Sequence, residues 1–237
     1  MKKTTSIILI AIFIIGLVGY YFFSGGNKQN SDTTTEVRKT SSEQGGVNSK
    51  FKIIAVGDSL TAGFDLPLDD SYPKILEAKL LESGKDVEVI NAGVSGETTA
   101  GLLERADFIA KQNPDMLLIT TGGNDAFRNL PIKNTRENIQ KTLQIFKKNI
   151  EPESIYLLQI ESTANLGLRY RKEFNEMYKE VASLEEVKLL PFVVKEVFLD
   201  SSKMLTDGIH PNRLGYEYIV DNFIFPEVNG KIKLNSR

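Results

Sequence analysis

The chain contains a single histidine, His210, and an aspartate, Asp207, lies three residues before it. An aspartate at this spacing can turn its carboxylate onto one nitrogen of the imidazole ring, which leaves the other nitrogen free to take a proton from a hydroxyl group. A hydroxyl in a suitable setting occurs at Ser59, which follows Gly57 and Asp58 after a short apolar run. These residue types predict nucleophilic attack by Ser59, with His210 as the base and Asp207 as the group that orients the base.

Three hydrogen-bond donors complete this predicted chemistry. The backbone N–H groups of Ser59 and Gly93 and the side-chain amide of Asn124 could hold the negative charge that develops on a carbonyl oxygen. Each residue also has a plainer interpretation: Ser59 as a helix N-cap, Gly93 as a turn with positive φ, and Asn124 as an Asx turn. Acyl transfer needs a nucleophile, a base, an orienting group and oxyanion donors, and this set of residues supplies them all.

The composition argues against several other kinds of site. The 237 residues include no cysteine and one histidine, so this chain has no disulfide, no thiolate ligand and no cysteine nucleophile. A zinc site would have to consist mostly of carboxylates, and we therefore expect no metal and no cofactor. The formal net charge is −2, and Lys and Arg are scattered along the chain. This pattern is not that of a protein that binds nucleic acid.

The N-terminal segment 1–23 has the pattern of a membrane signal. Lys2 and Lys3 precede the apolar segment 7–23, which as a helix would be ~25 Å long, near the lower limit for spanning a bilayer. The alternative is a cleaved signal peptide, whose apolar region is usually ~7–15 residues and is followed by a small-x-small site. The sequence after Phe22 offers no good match to such a site. We therefore expect a signal anchor that is not cleaved.

The segment 24–50 separates this anchor from the rest of the chain. It consists mainly of polar and charged residues and carries almost no large apolar side chains, which predicts a flexible linker. Because the lysines precede the apolar segment, the N-terminus should lie inside and the domain at 51–237 outside the cytoplasmic membrane. The expected location is thus the bacterial cell envelope, or secretion if the signal is cleaved.

The segment 51–237 alternates short apolar runs with amphipathic helical patterns. Strands are predicted at 51–56, 87–91, 116–120, 155–160 and 187–192. Helices are predicted at 71–81, 98–112, 135–149, 169–184 and 215–225. This alternation predicts a mostly parallel sheet with helices on both faces, and ligands bind outside the carboxyl ends of such strands. Ser59, Gly93 and Asn124 follow or end the first three strands, so they should meet at one edge.

From about Phe51 to Phe225 the chain resembles the SGNH (GDSL) hydrolases. Four sequence blocks occur in the order of that family: Gly57-Asp58-Ser59-Leu60, Asn91-Ala92-Gly93, Gly123-Asn124-Asp125 and Asp207-Gly208-Ile209-His210-Pro211. The chain is similar in particular to the bacterial thioesterase I, arylesterase and lysophospholipase subgroup. The resemblance implies a three-layer α/β/α fold with a five-stranded sheet and no metal. It also implies hydrolysis of esters or thioesters by a Ser59, Asp207 and His210 triad, with Gly93 and Asn124 as oxyanion donors.

The expected substrate is a small-molecule acyl ester or thioester, including aryl esters and lysophospholipid-like molecules, and the expected domain is a monomer. By resemblance, Leu130, Ile160 and Leu166 should provide apolar surface for the acyl chain. One alternative is a deacetylase of envelope polysaccharide, although the chain has no Trp for sugar stacking. The other is a catalytically silent acyl-binding module, which the loss of a triad residue would favour.

Overall fold

The computed structural model describes residues 50–161 and 167–233. Within these residues, five strands form one sheet in the order β2-β1-β3-β4-β5, and every neighbouring pair is parallel. The strands are β1 (Phe51–Gly57), β2 (Val87–Gly93), β3 (Met116–Thr120), β4 (Ile155–Ile160) and β5 (Lys188–Val193). The predicted parallel, five-stranded sheet is therefore confirmed, and each strand lies within two residues of its predicted bounds.

Helices connect the strands and cover the sheet. The helices before β4 are α1 (Ser59–Ala62), α2 (Tyr72–Glu82), α3 (Thr99–Ala110), α4 (Gly123–Phe127) and α5 (Ile132–Phe146). Those after β4 are α6 (Leu168–Leu184), α7 (Lys195–Phe198), α8 (Arg213–Ile219) and α9 (Phe225–Lys231). Short 3₁₀ turns occupy Leu68–Asp70, Pro152–Ser154 and Ser201–Lys203, and a π-helical turn occupies Val220–Ile224 between α8 and α9.

Each face of the sheet carries its own apolar cluster. Successive side chains of a strand point to opposite faces, so Ile53 and Ala55 of β1 pack with α2 and α8. Ile54 and Val56 of the same strand pack with α3, α5 and α6 on the other face. All four side chains are at most 1% exposed. The sheet is thus buried on both faces, as the three-layer α/β/α prediction requires.

Two predicted helices differ from their predicted bounds by more than two residues. The helix predicted at 135–149 occupies Ile132–Phe146, and Pro131 is its N-cap, a position where a proline leaves no backbone N–H unpaired. The helix predicted at 215–225 begins at Arg213, because the side-chain oxygen of Asn212 accepts a hydrogen bond from the Gly215 N–H (3.1 Å) and caps the first turn. It then continues through the π-helical turn into α9.

The predicted anchor at 1–23 and nearly all of the predicted linker at 24–50 lie outside the described residues, so both stay predictions. In the part of the chain that the structure describes, no helix is long and apolar enough to cross a bilayer.

Candidate active site

The Ser59 hydroxyl lies at the carboxyl end of β1, an inner strand of the sheet. Ser59 is the first residue of α1, and the N-cap is the preceding Asp58, whose Oδ1 accepts a hydrogen bond from the Leu60 N–H (3.0 Å). The interpretation of Ser59 as the N-cap is therefore wrong. Because Asp58 caps the helix, the Ser59 hydroxyl is left to bind another partner. The backbone N–H of Ser59 lies in the first turn of α1 and has no acceptor within the helix.

Ser59, His210 and Asp207 form a continuous hydrogen-bonded chain. His210 Nε2 lies 2.8 Å from Ser59 Oγ, although the two residues are 151 positions apart. His210 Nδ1 lies 2.6 Å from Asp207 Oδ2. A carboxylate only accepts hydrogen bonds, so the ring proton belongs on Nδ1, and Nε2 is left as an acceptor for the Ser59 hydroxyl. The structure thus brings together the three residues that the sequence singled out.

The loop that carries His210 is fixed by its own backbone. Met204 and Pro211 form an antiparallel bridge, and the Leu205 N–H donates to the His210 carbonyl at 2.8 Å. The ring of Phe64 lies 4.6 Å from the imidazole ring, centroid to centroid. The backbone contacts fix the loop, and the Phe64 ring packs against the imidazole ring, so the imidazole is held beside Ser59.

Asp207 is held by more than its bond to the imidazole. Its Oδ1 accepts the backbone N–H groups of Ile209 (2.9 Å) and His210 (3.0 Å). Burial alone would raise the pKa of Asp207, but the hydrogen bonds from the His210 ring and from these two N–H groups lower the pKa below its ordinary value. Asp207 is therefore a carboxylate near neutral pH, which is the state that can stabilise a protonated imidazole.

Asn124 lies in α4 and is positioned by Asp58. Its Nδ2 donates to Asp58 Oδ2 at 3.4 Å, and the Asp58 side chain is only 2% exposed. Burial raises the pKa of Asp58 to about 6, although the hydrogen bonds from the Leu60 N–H and the Asn124 amide oppose this rise. A primary amide has two N–H groups, so one remains after the bond to Asp58. No local sequence pattern predicts this role for Asp58, although the residue directly precedes the candidate nucleophile.

Gly93 is the last residue of β2, and its structural role differs from the one that the sequence suggested. It is not among the glycines with positive φ, so the interpretation as a positive-φ turn is wrong. A Cβ at this position would clash with the backbone of Thr61 and Ala62, so the glycine allows β2 to approach α1. The Gly93 N–H donates to Asn91 Oδ1 at 3.0 Å. Its role as an oxyanion donor stays a prediction.

An open cavity of about 270 Å³ lies beside Ser59 and His210. Its apolar wall consists of Leu60, Ala126, Phe127, Ile160, Phe174, Phe198 and Ile209. Of the three residues predicted to contact the acyl chain, Ile160 lines this cavity. Leu130 is not in the lining, and its carbonyl accepts a hydrogen bond from the Tyr170 hydroxyl at 3.4 Å, while Leu166 lies outside the described residues. The aromatic lining was missed because these side chains come from helices that are distant in sequence.

A parallel α/β sheet with a Ser–His–Asp chain at its carboxyl edge is an arrangement found in hydrolytic enzymes. The chain belongs to the GDSL-like lipase/acylhydrolase family, whose family model matches residues 55–218. The resemblance to the SGNH (GDSL) hydrolases is thereby confirmed.

The chain is similar to two bacterial enzymes and to an esterase of known structure. The chain is 34% identical over 171 residues to an arylesterase of Vibrio mimicus, covering 72% of this chain and 84% of the relative. It is 36% identical over 171 residues to the thioesterase 1/protease 1/lysophospholipase L1 of Escherichia coli K12, covering 71% and 79%. The psychrotrophic esterase EstA of Pseudoalteromonas sp., solved with monoethylphosphonate as inhibitor, superposes with a TM-score of 0.68 at 28% identity, covering 76% and 96%. The protein is therefore an ester-hydrolysing enzyme.

Proposed function

We propose that this protein is a serine esterase that hydrolyses carboxylic esters or thioesters of medium-length acyl chains, with Ser59 as the nucleophile. The observation that carries the proposal is the hydrogen-bonded chain of Ser59, His210 and Asp207 beside an apolar cavity. The arylesterase and thioesterase/lysophospholipase activities in the names of the relatives support the same substrate class.

In the first half of the proposed reaction, Ser59 Oγ attacks the carbonyl carbon of the ester while His210 Nε2 takes the hydroxyl proton. The carbonyl oxygen becomes an oxyanion, and the Asp207 carboxylate stabilises the imidazolium that forms. When the tetrahedral intermediate collapses, the bond to the leaving oxygen or sulfur breaks and His210 gives its proton to the leaving group. The product of this half is an acyl group on Ser59 and a free alcohol or thiol.

In the second half, a water molecule takes the place of the serine hydroxyl. His210 Nε2 accepts a proton from the water, which attacks the acyl carbon, and then returns the proton to Ser59 Oγ as the acyl group leaves as a carboxylic acid. In both halves the oxyanion would be held by the Ser59 N–H and the free N–H of the Asn124 amide. The Gly93 N–H could join them if it exchanged its bond to Asn91 for one to the oxyanion.

The cavity sets the expected acyl length. A cavity of ~150 Å³ binds benzene, so one of about 270 Å³ holds roughly ten carbon atoms. At ~0.8 kcal/mol per buried CH₂, four extra methylenes add up to ~3 kcal/mol of binding. We therefore expect kcat/KM on p-nitrophenyl esters to rise by up to about a hundredfold from acetyl to hexanoyl.

Phe127→Ala should weaken this dependence on chain length, because Phe127 lines the cavity. Phe108→Ala is the matched control, since Phe108 lies on α3 with 69% of its surface exposed and does not line the cavity.

A strict preference for acetyl esters would contradict the proposal that the cavity binds medium-length acyl chains and would favour the polysaccharide deacetylase. No hydrolysis of any ester would favour the silent binding module.

We also propose that residues 1–23 anchor the enzyme in the cytoplasmic membrane, with the catalytic domain on the outer side. The full chain should then stay in the membrane fraction and resist washing with high salt, because an apolar span is not screened by ions. Removal of residues 1–50 should release an active soluble domain, since every candidate site residue lies after Phe51. A mature protein that begins near residue 25 in the soluble extract would contradict the anchor and indicate a cleaved signal.

A further inference from the structure

The charged side chains in the cavity wall are acidic. The described residues that line the cavity include Asp58 and Glu161 but no Lys or Arg. The remaining titratable group in the lining is His210, whose ring bonds to both Ser59 and Asp207. A substrate that enters the cavity therefore meets carboxylates without a compensating cation in the described wall.

Glu161 is the carboxylate in this wall that faces solvent. It directly follows Ile160, the last residue of β4, and its side chain is exposed. None of the ion pairs among the described residues involves Glu161. The next five residues in the sequence, 162–166, are Ser, Thr, Ala, Asn and Leu, so they bring no charged side chain to it.

Asp58 has the same sign of charge but a different situation. It is buried, and its two oxygens accept hydrogen bonds from the Leu60 N–H and the Asn124 amide. Because both of its oxygens accept these bonds, Asp58 is not available to pair with a charged group of the substrate. Glu161 is thus the carboxylate that can approach a charged group on a bound ester.

We propose that Glu161 makes the active site select substrates by charge. On the side of the ester bond that Glu161 faces, a cationic group such as a quaternary ammonium should make an ester react faster than a neutral ester of the same shape, and an anionic group should make it react more slowly. The proposal rests on the esterase function proposed above and adds a property of its substrate. Because Glu161 is exposed, solvent screens its charge, so the effect is several-fold and falls as salt is added.

Two pairs of substrates test the proposal, each with nearly the same shape and a different charge. The first pair is butyrylcholine and 3,3-dimethylbutyl butyrate, which differ by a positive charge on the alcohol side. The second pair is mono-p-nitrophenyl glutarate and p-nitrophenyl pentanoate, which differ by a negative charge on the acyl side. The measurement is the ratio of kcat/KM for the charged ester to that for the neutral ester, at low ionic strength.

In Glu161→Gln, we expect the cation ratio to fall or the anion ratio to rise by about fivefold relative to the wild type. Glu161→Lys should move the same ratio further in the same direction. Glu151→Gln is the matched control, because it makes the same charge change at an exposed position before the other end of β4. That position is roughly 20 Å away along the strand, which exceeds a Debye length of ~10 Å at 0.1 M salt.

The outcomes separate this inference from the proposed function. If neither ratio differs by more than about twofold between the wild type and either Glu161 variant, while both neutral esters are hydrolysed, the charge selection is refuted and the esterase function stands. If the Glu151 control shifts the ratios as much as Glu161→Gln, the selection comes from net charge and the role of Glu161 is also refuted. If the wild type hydrolyses neither neutral ester, the proposed function itself fails.

Discussion

Replacing His210 by alanine should lower kcat on a short aryl ester by about a thousandfold or more, and Ser59→Ala should have an effect of similar size. His210 is the one histidine in the chain, and its Nε2 lies 2.8 Å from Ser59 Oγ, so no other imidazole can take the hydroxyl proton. The two residues act as a unit, and the double variant should therefore be hardly less active than either single variant.

The measurement is the steady-state kcat on p-nitrophenyl butyrate, combined with covalent labelling by a fluorophosphonate. Wild-type protein should be labelled at Ser59, and Ser59→Ala and His210→Ala should not be labelled. Ser95→Ala is a suitable control, because Ser95 is an exposed serine after β2 that does not line the cavity. If His210→Ala kept more than about a tenth of the wild-type kcat, the assignment of His210 as the base would be wrong.

Asn124→Ala should lower kcat by ~10²–10³, which is the usual effect of removing one oxyanion donor. The hydrogen bond to the buried Asp58 holds the Asn124 amide at the edge of the cavity, so the second N–H is already positioned before the substrate arrives. The oxyanion exists in the transition state and not in the bound ester, so KM should change little.

The experiment compares kcat and KM separately for Asn124→Ala and for Asn134→Ala, an exposed asparagine on α5 that does not line the cavity. Thermal unfolding of both variants is needed, because Asn124→Ala also removes a hydrogen bond from the buried Asp58. A rise in KM with unchanged kcat would contradict the role of Asn124 in the transition state and indicate that it only binds the substrate.

Much of the fold could be predicted from local pattern. The apolar runs at 116–120 and 155–160 coincide with β3 and β4, because a strand buried on both faces is a short continuous apolar run. Helix ends were less predictable. The start of α8 depends on a capping bond from the Gly215 N–H to the Asn212 side-chain oxygen, and apolar periodicity does not indicate such a bond.

The candidate active site likewise has some features that follow from residue type and local spacing and others that depend on contacts between distant residues. Residue type alone identified His210 as the base and Asp207 as its partner, because the chain offers a single imidazole and local spacing brings the carboxylate to it. It could not assign Asp58 to the N-cap of α1 and the support of Asn124, since the second contact joins residues 66 positions apart. Nor could it show that Gly93 is needed for the approach of β2 to α1.

The sequence by itself therefore determined the order of strands and helices and the residue types available for catalysis, because these depend on local periodicity and on side-chain chemistry. Only the tertiary structure decided that His210 meets Ser59 across 151 positions and that Phe127, Phe174 and Phe198 converge on one cavity. Their meeting depends on how α4, α6 and α7 pack around the carboxyl edge of the sheet, and such packing follows from contacts between residues far apart in the chain rather than from any local pattern.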